Sequence, residues 1–550
     1  MKRDEEREEL RLLKEVLEGK IQNEKENNKL DEENKVKEIE EKLHSEESDA
    51  VNKETKESAE RILDSYSFNA QGVPVDVKII ETKESYVPQY IIQIPLIGEG
   101  TKLILNALKA ELITKVKLDI AMLTDQRHMK DIQMKFEQKA NELLDKKFQN
   151  LTPEKRKTLS SYLIQNTLGL GELEILMADE NLEDIVINGP TEPIQVYHKR
   201  YGWCSTNLWI KRDETVYEYA ANIGRRVGRQ INVLNPIMNA YLPNGDRVNA
   251  TLSPISSFGN TLSIRKFAKN PWTIPYLIHV KTITPEVASL IWLCIQNEIS
   301  LLSSGGTGSG KTSFLNAMAC MIPPNQRIIS IEDTRELSLP DFLHWVAMTT
   351  REPNPEGKGE VTMLDLMVNA LRQRPDRIIV GEVRRQREAE VLFEAMHTGH
   401  SVYATFHADN SVECVNRLIT PPINVPTSSL TALGGIIVQY RNRRSGIRRT
   451  FEFAEITDEG KANVVYRWDP KSDTIKEVEA ITRLGETLAL YTGMTVKEMK
   501  LDLLEKTKIL KWMVNKKYFD INQVGRITAD YYMDNEKIIE YANTGKDWTF

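Results

Sequence analysis

Residues 305–312 read Gly305-Gly306-Thr307-Gly308-Ser309-Gly310-Lys311-Thr312, and this octet decides the fold. It fits the pattern GxxxxGK[ST], and its surroundings suit that pattern. The apolar run Ile299–Ser303 before it predicts a strand, and the spacing over 311–320 after it predicts a helix. A glycine-rich turn between a strand and a helix lets backbone amides curl around the β-phosphate of a nucleotide, and the helix N-terminus adds positive potential. Lys311 then reaches the β- and γ-phosphates, while the Thr312 hydroxyl ligates Mg²⁺. The expected nucleotide-binding residues are Gly305, Gly306, Thr307, Gly308, Ser309, Gly310, Lys311, Thr312 and Ser313, with ATP and Mg²⁺ as the cofactors.

Downstream, short β-like runs alternate with helical ones. Strands are expected at 327–331, near 345–350, at 377–383 and at 401–406, with helices at 362–373 and 387–397. This alternation predicts a parallel sheet with helices on both faces. Ligands bind such sheets at the carboxyl ends of the strands. Glu332 and Asp333, in the stretch Ile331-Glu332-Asp333-Thr334-Arg335-Glu336, therefore fall beside the γ-phosphate. The strand Arg377-Ile-Ile-Val-Gly-Glu-Val-Arg384 delivers Glu382 to the same edge, although Gly381 stands where many nucleotide hydrolases carry a metal-binding aspartate. His400 and His407, in Thr398-Gly-His-Ser-Val-Tyr-Ala-Thr-Phe-His-Ala-Asp409, lie about 23 Å apart if extended. That separation excludes a shared metal site. Two sets of arginines also stand out: Arg247 and Arg265 upstream, and five in the nine residues 441–449. An ATPase working as a ring needs cations from another domain or subunit for its transition state. The 441–449 cluster has other readings: a charged hairpin, or a surface for acidic lipid or a partner.

At 550 residues, 40% of them hydrophobic, the chain is expected to hold more than one domain. Its net charge of −7 is concentrated at one end. Residues 1–60 carry 13 Lys/Arg and 21 Asp/Glu, whereas the other 490 carry 60 and 59. A near-neutral body without aromatic interleaving in its basic cluster offers no case for nucleic acid, so no such partner is expected. Cys204, Cys294, Cys320 and Cys414 form no CxxC pair, which argues against a zinc site or a disulfide framework. MKRDEEREEL has no apolar core of a signal peptide, and no run is long enough to span a membrane. The expected divisions are a charged, largely flexible arm at 1–74, an N-terminal domain at 75–267, a proline-containing linker at 268–283, and the nucleotide domain with a C-terminal β/helical extension at 284–550. The arm is either a solvated, partly helical tail, with Leu10, Leu13 and Leu17 on one face, or a segment that docks onto a partner. Within 75–267, a helical segment is expected to precede an α/β sensor-like (PAS-like) module.

Four stretches in order, GGTGSGKT, IEDTRE, RIIVGEVR and TGHSVYATFHAD, resemble the phosphate loop, aspartate box, variant Walker B strand and histidine box of the secretion ATPases that serve type II secretion, type IV pili and archaella. The resemblance covers about residues 170–455. The lack of a four-cysteine module and the wording IEDTREL look archaeal, closest to the archaellum motor ATPase. The resemblance implies a RecA-like P-loop ATPase domain in a ring-forming, homohexameric, two-domain subunit. It implies work coupled to ATP hydrolysis, at the inner face of the membrane on a polytopic platform protein. It further implies archaellum or pilus accessory proteins as partners, reached through the 1–74 arm, and contact with acidic lipid. Carried over, Glu332 looks like the base that orients water, and Glu382 supports Mg²⁺. His400 and His407 look like γ-phosphate sensors or structural links, and Arg247 and Arg265 match arginines that close on the nucleotide. Powering archaellum assembly and rotation is the leading expectation. A pilus or secretion engine comes second, and a RecA-like nucleic-acid translocase or an inactive scaffold are the readings from other classes.

Overall fold

In a computed structural model of the chain, residues 61–549 are described except 84, 96, 116–128, 149–150, 243, 268–269 and 354–356. The chain divides into two compact units, Met1–Ala240 with Val248–Arg265, and Tyr241–Arg247 with Lys266–Phe550. The leucine faces expected in the acidic arm lie outside the described residues.

The first unit is built on one mixed sheet. Strands β1 (Arg61–Ala70) and β2 (Val73–Glu81) form a hairpin through Gln71 and Gly72, both at positive φ, the geometry favoured between right-twisted strands. The charged arm expected at 1–74 is thereby corrected at its C-terminal end, because residues 61–70 belong to the sheet. The strand follows directly on the charged stretch, with five of its ten residues exposed, and its ladder with Val73, Val75, Val77 and Ile79 of β2 supplies the order. Next come β3 (Gln89–Gln93), α1 (Glu99–Lys115), α2 (Met129–Lys147), α3 (Pro153–Leu168) and α4 (Glu172–Ala178). The helix α3 starts as its sequence suggests, with Thr152 accepting the amide of Lys155 and Pro153 at the first position. Leu105, Leu108 and Leu112 of α1 are buried at helical spacing, as are Phe136, Ala140 and Leu143 of α2. The unit closes with β4 (Leu182–Ile187), β5 (Pro193–His198), β6 (Gly202–Trp209), α5 (Asp213–Arg226), β7 (Ile237–Tyr241), β8 (Arg247–Thr251) and β9 (Thr261–Arg265). Among the described residues the strand order is β1-β2-β3-β6-β5-β4-β9-β8-β7.

The second unit opens with α6 (Ile274–His279) and α7 (Pro285–Gln296). The helix α6 corrects the linker expected at 268–283. Pro275 sits in the first turn, where a missing N–H costs nothing. Ile274 and Leu277 enter the core, Trp272 packs against it, and Thr273 Oγ1 donates to the Phe519 carbonyl. There follow β10 (Leu301–Gly305), α8 (Lys311–Ala319), β11 (Ile328–Glu332), β12 (Trp345–Thr349), α9 (Met363–Ala370), β13 (Arg377–Val380), α10 (Gln386–His397), β14 (Ser401–Phe406) and α11 (Ser411–Ile419). The sheet continues with β15 (Gly435–Arg441), β16 (Arg448–Ile456), β17 (Ala462–Asp469) and β18 (Thr474–Glu477), and α12 (Arg483–Thr492), α13 (Val496–Asn515), α14 (Ile521–Met533) and α15 (Asn535–Thr544) end the unit.

The strand order here is β12-β11-β13-β14-β10-β15-β16-β17-β18. Pairing is parallel from β12 to β15 and antiparallel beyond. Both faces are covered, as the sequence alternation requires. Leu301, Ile328, Ile379 and Tyr403 join a core with α7, α8 and the C-terminal helices. Their neighbours Leu302, Ile329, Ile378 and Val402 join a second core with α9, α10 and α11. The capping box of Thr495 and Glu498 starts α13, whose Met499, Ile509 and Met513 pack into the first core, while Val496 stays exposed. Arg377 fastens the amino edge of the sheet. Fully buried, it donates to Gln326 Oε1, Ser401 Oγ, Tyr403 Oη and the Ile295 carbonyl. The opposite, carboxyl edge of β11, β13, β14 and β10 is left to chemistry.

Candidate active site

The loop between β10 and α8 is a cradle of backbone. Gly305, Gly308 and Gly310 have φ of 145°, 71° and 99°, values that side chains rarely tolerate. A Cβ on Gly305 would lie 2.3 Å from the Gln439 carbonyl. Ser303 Oγ donates to the Lys311 carbonyl at 3.1 Å and ties strand to helix. Thr312 and Ser313 stand in the first turn of α8, and Ser309 Oγ is buried without a hydrogen-bond partner. Lys311 is 8% exposed. Its ammonium donates to the Gly306 carbonyl at 3.0 Å and to His407 Nδ1 at 3.2 Å. Burial pulls its pKa below the ordinary lysine value, against the opposing pull of Glu382, Asp409 and Glu336.

Three strand ends converge beside this loop. Glu332 ends β11 and is 2% exposed. Its Oε1 accepts the amides of Glu336 (2.9 Å) and Leu337 (3.0 Å), and its Oε2 is buried with no partner. Burial pushes this carboxyl up to about 7, although the two amides favour its charged form. The space it fills explains Gly381, because a Cβ there would come 3.3 Å from Glu332 Cγ. The expected strand 377–383 correspondingly stops at Val380, so Glu382 rises from a loop. There Glu382 Oε2 accepts from Arg384 Nη2 at 2.5 Å, and Oε1 meets His407 Nε2 at 2.9 Å. Arg384 Nη1 donates at 2.8 Å to Asp333 Oδ2, so one guanidinium bridges both acidic stretches. His407 follows β14. With Lys311 donating to Nδ1, the contacts select the neutral Nε2–H tautomer, which donates to Glu382. Burial and the Lys311 charge lower its pKa in keeping with this. A cavity of about 270 Å³, lined among others by Glu382, Arg384, His407 and Arg417, opens at this cluster.

The expected residues divide accordingly. Lys311, Glu332, Glu382 and His407 gather at one sheet edge. His400 does not: it precedes β14, about 20 Å from the far end of that six-residue strand. Its Nδ1 lies 3.1 Å from Thr398 Oγ1 and 3.2 Å from the Ala395 carbonyl, linking the end of α10 to the sheet. Arg265 ends β9 of the first unit and pairs with Asp184 at 2.9 Å across the β4–β9 ladder, and Arg247 begins β8, exposed. Arg384 was missed as a site residue, although it stands two residues after Glu382. That spacing, opposite an acidic strand end, was the available signal.

The cluster fits a nucleoside triphosphate and a hard divalent cation. The glycines leave room for phosphate oxygens, and Ser309 Oγ and the amides that open α8 are donors suited to them. Thr312 and Glu382 would hold Mg²⁺, whose bound charge would help neutralise the phosphates. From this geometry, Arg384→Gln is expected to lower kcat roughly tenfold, about 1.4 kcal/mol in the barrier, while nucleotide affinity changes little. Phosphate release at saturating nucleotide, beside a binding titration, checks this. An unchanged kcat would show the bridge to be idle.

The family of type II/IV secretion system proteins matches residues 170–443 of this chain. An uncharacterized protein of Methanocaldococcus jannaschii is 36% identical over 396 residues, 70% of this chain and 71% of that protein. The type IV secretion system protein PtlH of Bordetella pertussis is 28% identical over 306 residues, 50% of this chain and 89% of its own length. Among solved structures, the ATPase DotB of Legionella pneumophila superposes with a TM-score of 0.41 at 18% identity, over 68% of this chain and 95% of that one.

Proposed function

This chain belongs to the type II/IV secretion system protein family, and from that premise we propose that it is a Mg²⁺-dependent ATPase that turns ATP hydrolysis into mechanical work. One observation carries the reading: a glycine cradle with its lysine, a buried high-pKa carboxylate, and a second carboxylate bridged to that lysine by His407, all at one edge of a parallel sheet. In this reading Lys311 and the loop amides bind the phosphates, and Thr312 and Glu382 hold Mg²⁺. Glu332 takes the proton of the attacking water, and His407 couples the state of Lys311 to Glu382. Bound Mg²⁺ supplies charge for the phosphates. Arg247 and Arg265 are proposed to meet the nucleotide from the other domain of a hexameric ring.

The biological task we propose is archaellum assembly and rotation on a polytopic membrane protein, with the acidic N-terminal arm as a docking segment. No helix among the described residues is long and apolar enough to cross a membrane; in this reading the force is delivered to a partner protein in the membrane. The test is ATP turnover by the full-length chain with a reconstituted archaellum platform protein, a pilus platform protein, or DNA. Stimulation by the first is the expected result. Stimulation by the second moves the engine to pilus assembly or secretion, and stimulation by DNA alone overturns the motor reading in favour of a translocase.

A further inference from the structure

The five arginines of 441–449 do not make one surface. Arg449 forms a two-point ion pair with Asp473, both contacts at 2.8 Å. Arg448 lies over the Trp272 ring at 5.5 Å. Arg443 and Arg444 are exposed on the turn between β15 and β16. Arg441 takes a different course. It ends β15, the parallel neighbour of β10, with Gln439 in register with Gly305. Its Nη1 comes 3.1 Å from the point where a side chain on Gly308 would begin. The guanidinium therefore lies directly against the phosphate loop, and the close approach of Gly305 to the Gln439 carbonyl fixes the two strand ends together.

The direction of a bound nucleotide follows from the two sides of that loop. The strand β10 lies between β14 and β15. On the β14 side stand His407, Glu382 and Glu332, the groups suited to a terminal phosphate, its metal and an attacking water. A nucleotide whose terminal phosphate is drawn to that side trails its α-phosphate, ribose and base toward β15. The geometry points to Arg441 as a nucleotide-binding residue that grips the nucleoside diphosphate portion, by charge on the α-phosphate and by laying its planar guanidinium along the base. This inference rests on the nucleotide reading of the same loop and adds the residue that holds the end away from the chemistry. Arg441 thus supports ATP and ADP equally and leaves the hydrolytic step to the β14 side.

The test is titration of the full-length chain with fluorescently labelled ATP and ADP, beside steady-state turnover and thermal unfolding without nucleotide. Arg441→Gln should weaken both nucleotides by the same factor, roughly tenfold for a charge-assisted contact, with kcat at saturation held within about twofold. Arg441→Lys, which keeps charge but loses the plane, should fall between, near threefold. Arg443→Gln, on the exposed turn, should match the unaltered chain. Unchanged affinity for both nucleotides in Arg441→Gln overturns the assignment, as does a loss confined to ATP. Should Arg441→Gln fail to fold, Arg441→Lys decides: wild-type affinity there overturns it equally. Failure of the unaltered chain to bind ADP at all would sink the nucleotide reading itself, whereas binding that survives Arg441→Gln sinks only the role of Arg441.

Discussion

Lys311→Ala is expected to remove nucleotide binding and turnover together, lowering kcat/KM by two orders of magnitude or more, on the scale of the ~10²–10³ lost when one preorganised donor to a transition state is deleted. Removing the lysine breaks no direct contact with a carboxylate. It is 8% exposed, and its ammonium meets a loop carbonyl and a neutral imidazole rather than a carboxylate. Burial already pulls its pKa down, so holding it charged costs the unloaded protein stability, a cost that bound phosphates offset. Removing it should leave the unfolding temperature of the nucleotide-free protein unchanged or slightly higher. ADP is expected to stabilise the unaltered chain by preferential binding to the folded state, and that stabilisation should vanish in the variant. Near-normal phosphate release by this variant would end the assignment of the loop.

The residues that sequence made legible are those whose role is set by local backbone. Gly305 through Thr312 needed only a strand before and a helix after, and both are present. Alternation and run length likewise announced the parallel order from β10 to β14. Glu332 could be placed at a strand end, but its raised pKa could not be read there, because it comes from packing against Gly381 and from burial. Arg384 and Arg441 were hidden for a similar reason. Arginines are usually on the surface, and only the pairing of β11 with β13 and of β10 with β15 reveals what each one reaches. In β1 the alternation of Tyr66, Phe68 and Ala70 with Ser65, Ser67 and Asn69 is short and follows directly on the charged stretch, so it reads as part of the arm, and α6 reads as linker because its proline sits in a first turn that only tertiary burial identifies. His400 and His407 look equivalent in sequence, six residues of strand apart. One ties a helix end to the sheet and the other joins the loop lysine to Glu382.

Glu332→Gln is expected to separate binding from hydrolysis. The amide keeps the shape and can still accept the Glu336 and Leu337 amides on one oxygen, so ATP should bind as tightly as in the unaltered chain. It cannot take a proton from water, and turnover should fall by about 10²–10⁴-fold, the usual contribution of a positioned base. The buried, unpartnered Oε2 is the atom available to that water. The carboxyl is pushed up to about 7, so the base form is scarce in acid and turnover in the unaltered chain should rise with pH through about 7. The same shift affects stability with the opposite sense. Between the ordinary carboxylate range, about 4.3, and 7, the folded chain holds a proton that the unfolded chain has lost, so Glu332 favours the folded state less as pH rises across that window. Glutamine has nothing to ionise. The unfolding temperature of Glu332→Gln should exceed that of the unaltered chain at pH 8, with the gap closing toward pH 4. ATP retention by filtration, phosphate release across pH 5–9 and thermal unfolding at both ends of that range measure the three effects. Fast turnover in the variant would remove Glu332 as the base. Lost turnover with no thermal gain at pH 8 would place the acid at the site but show that burial does not hold its proton.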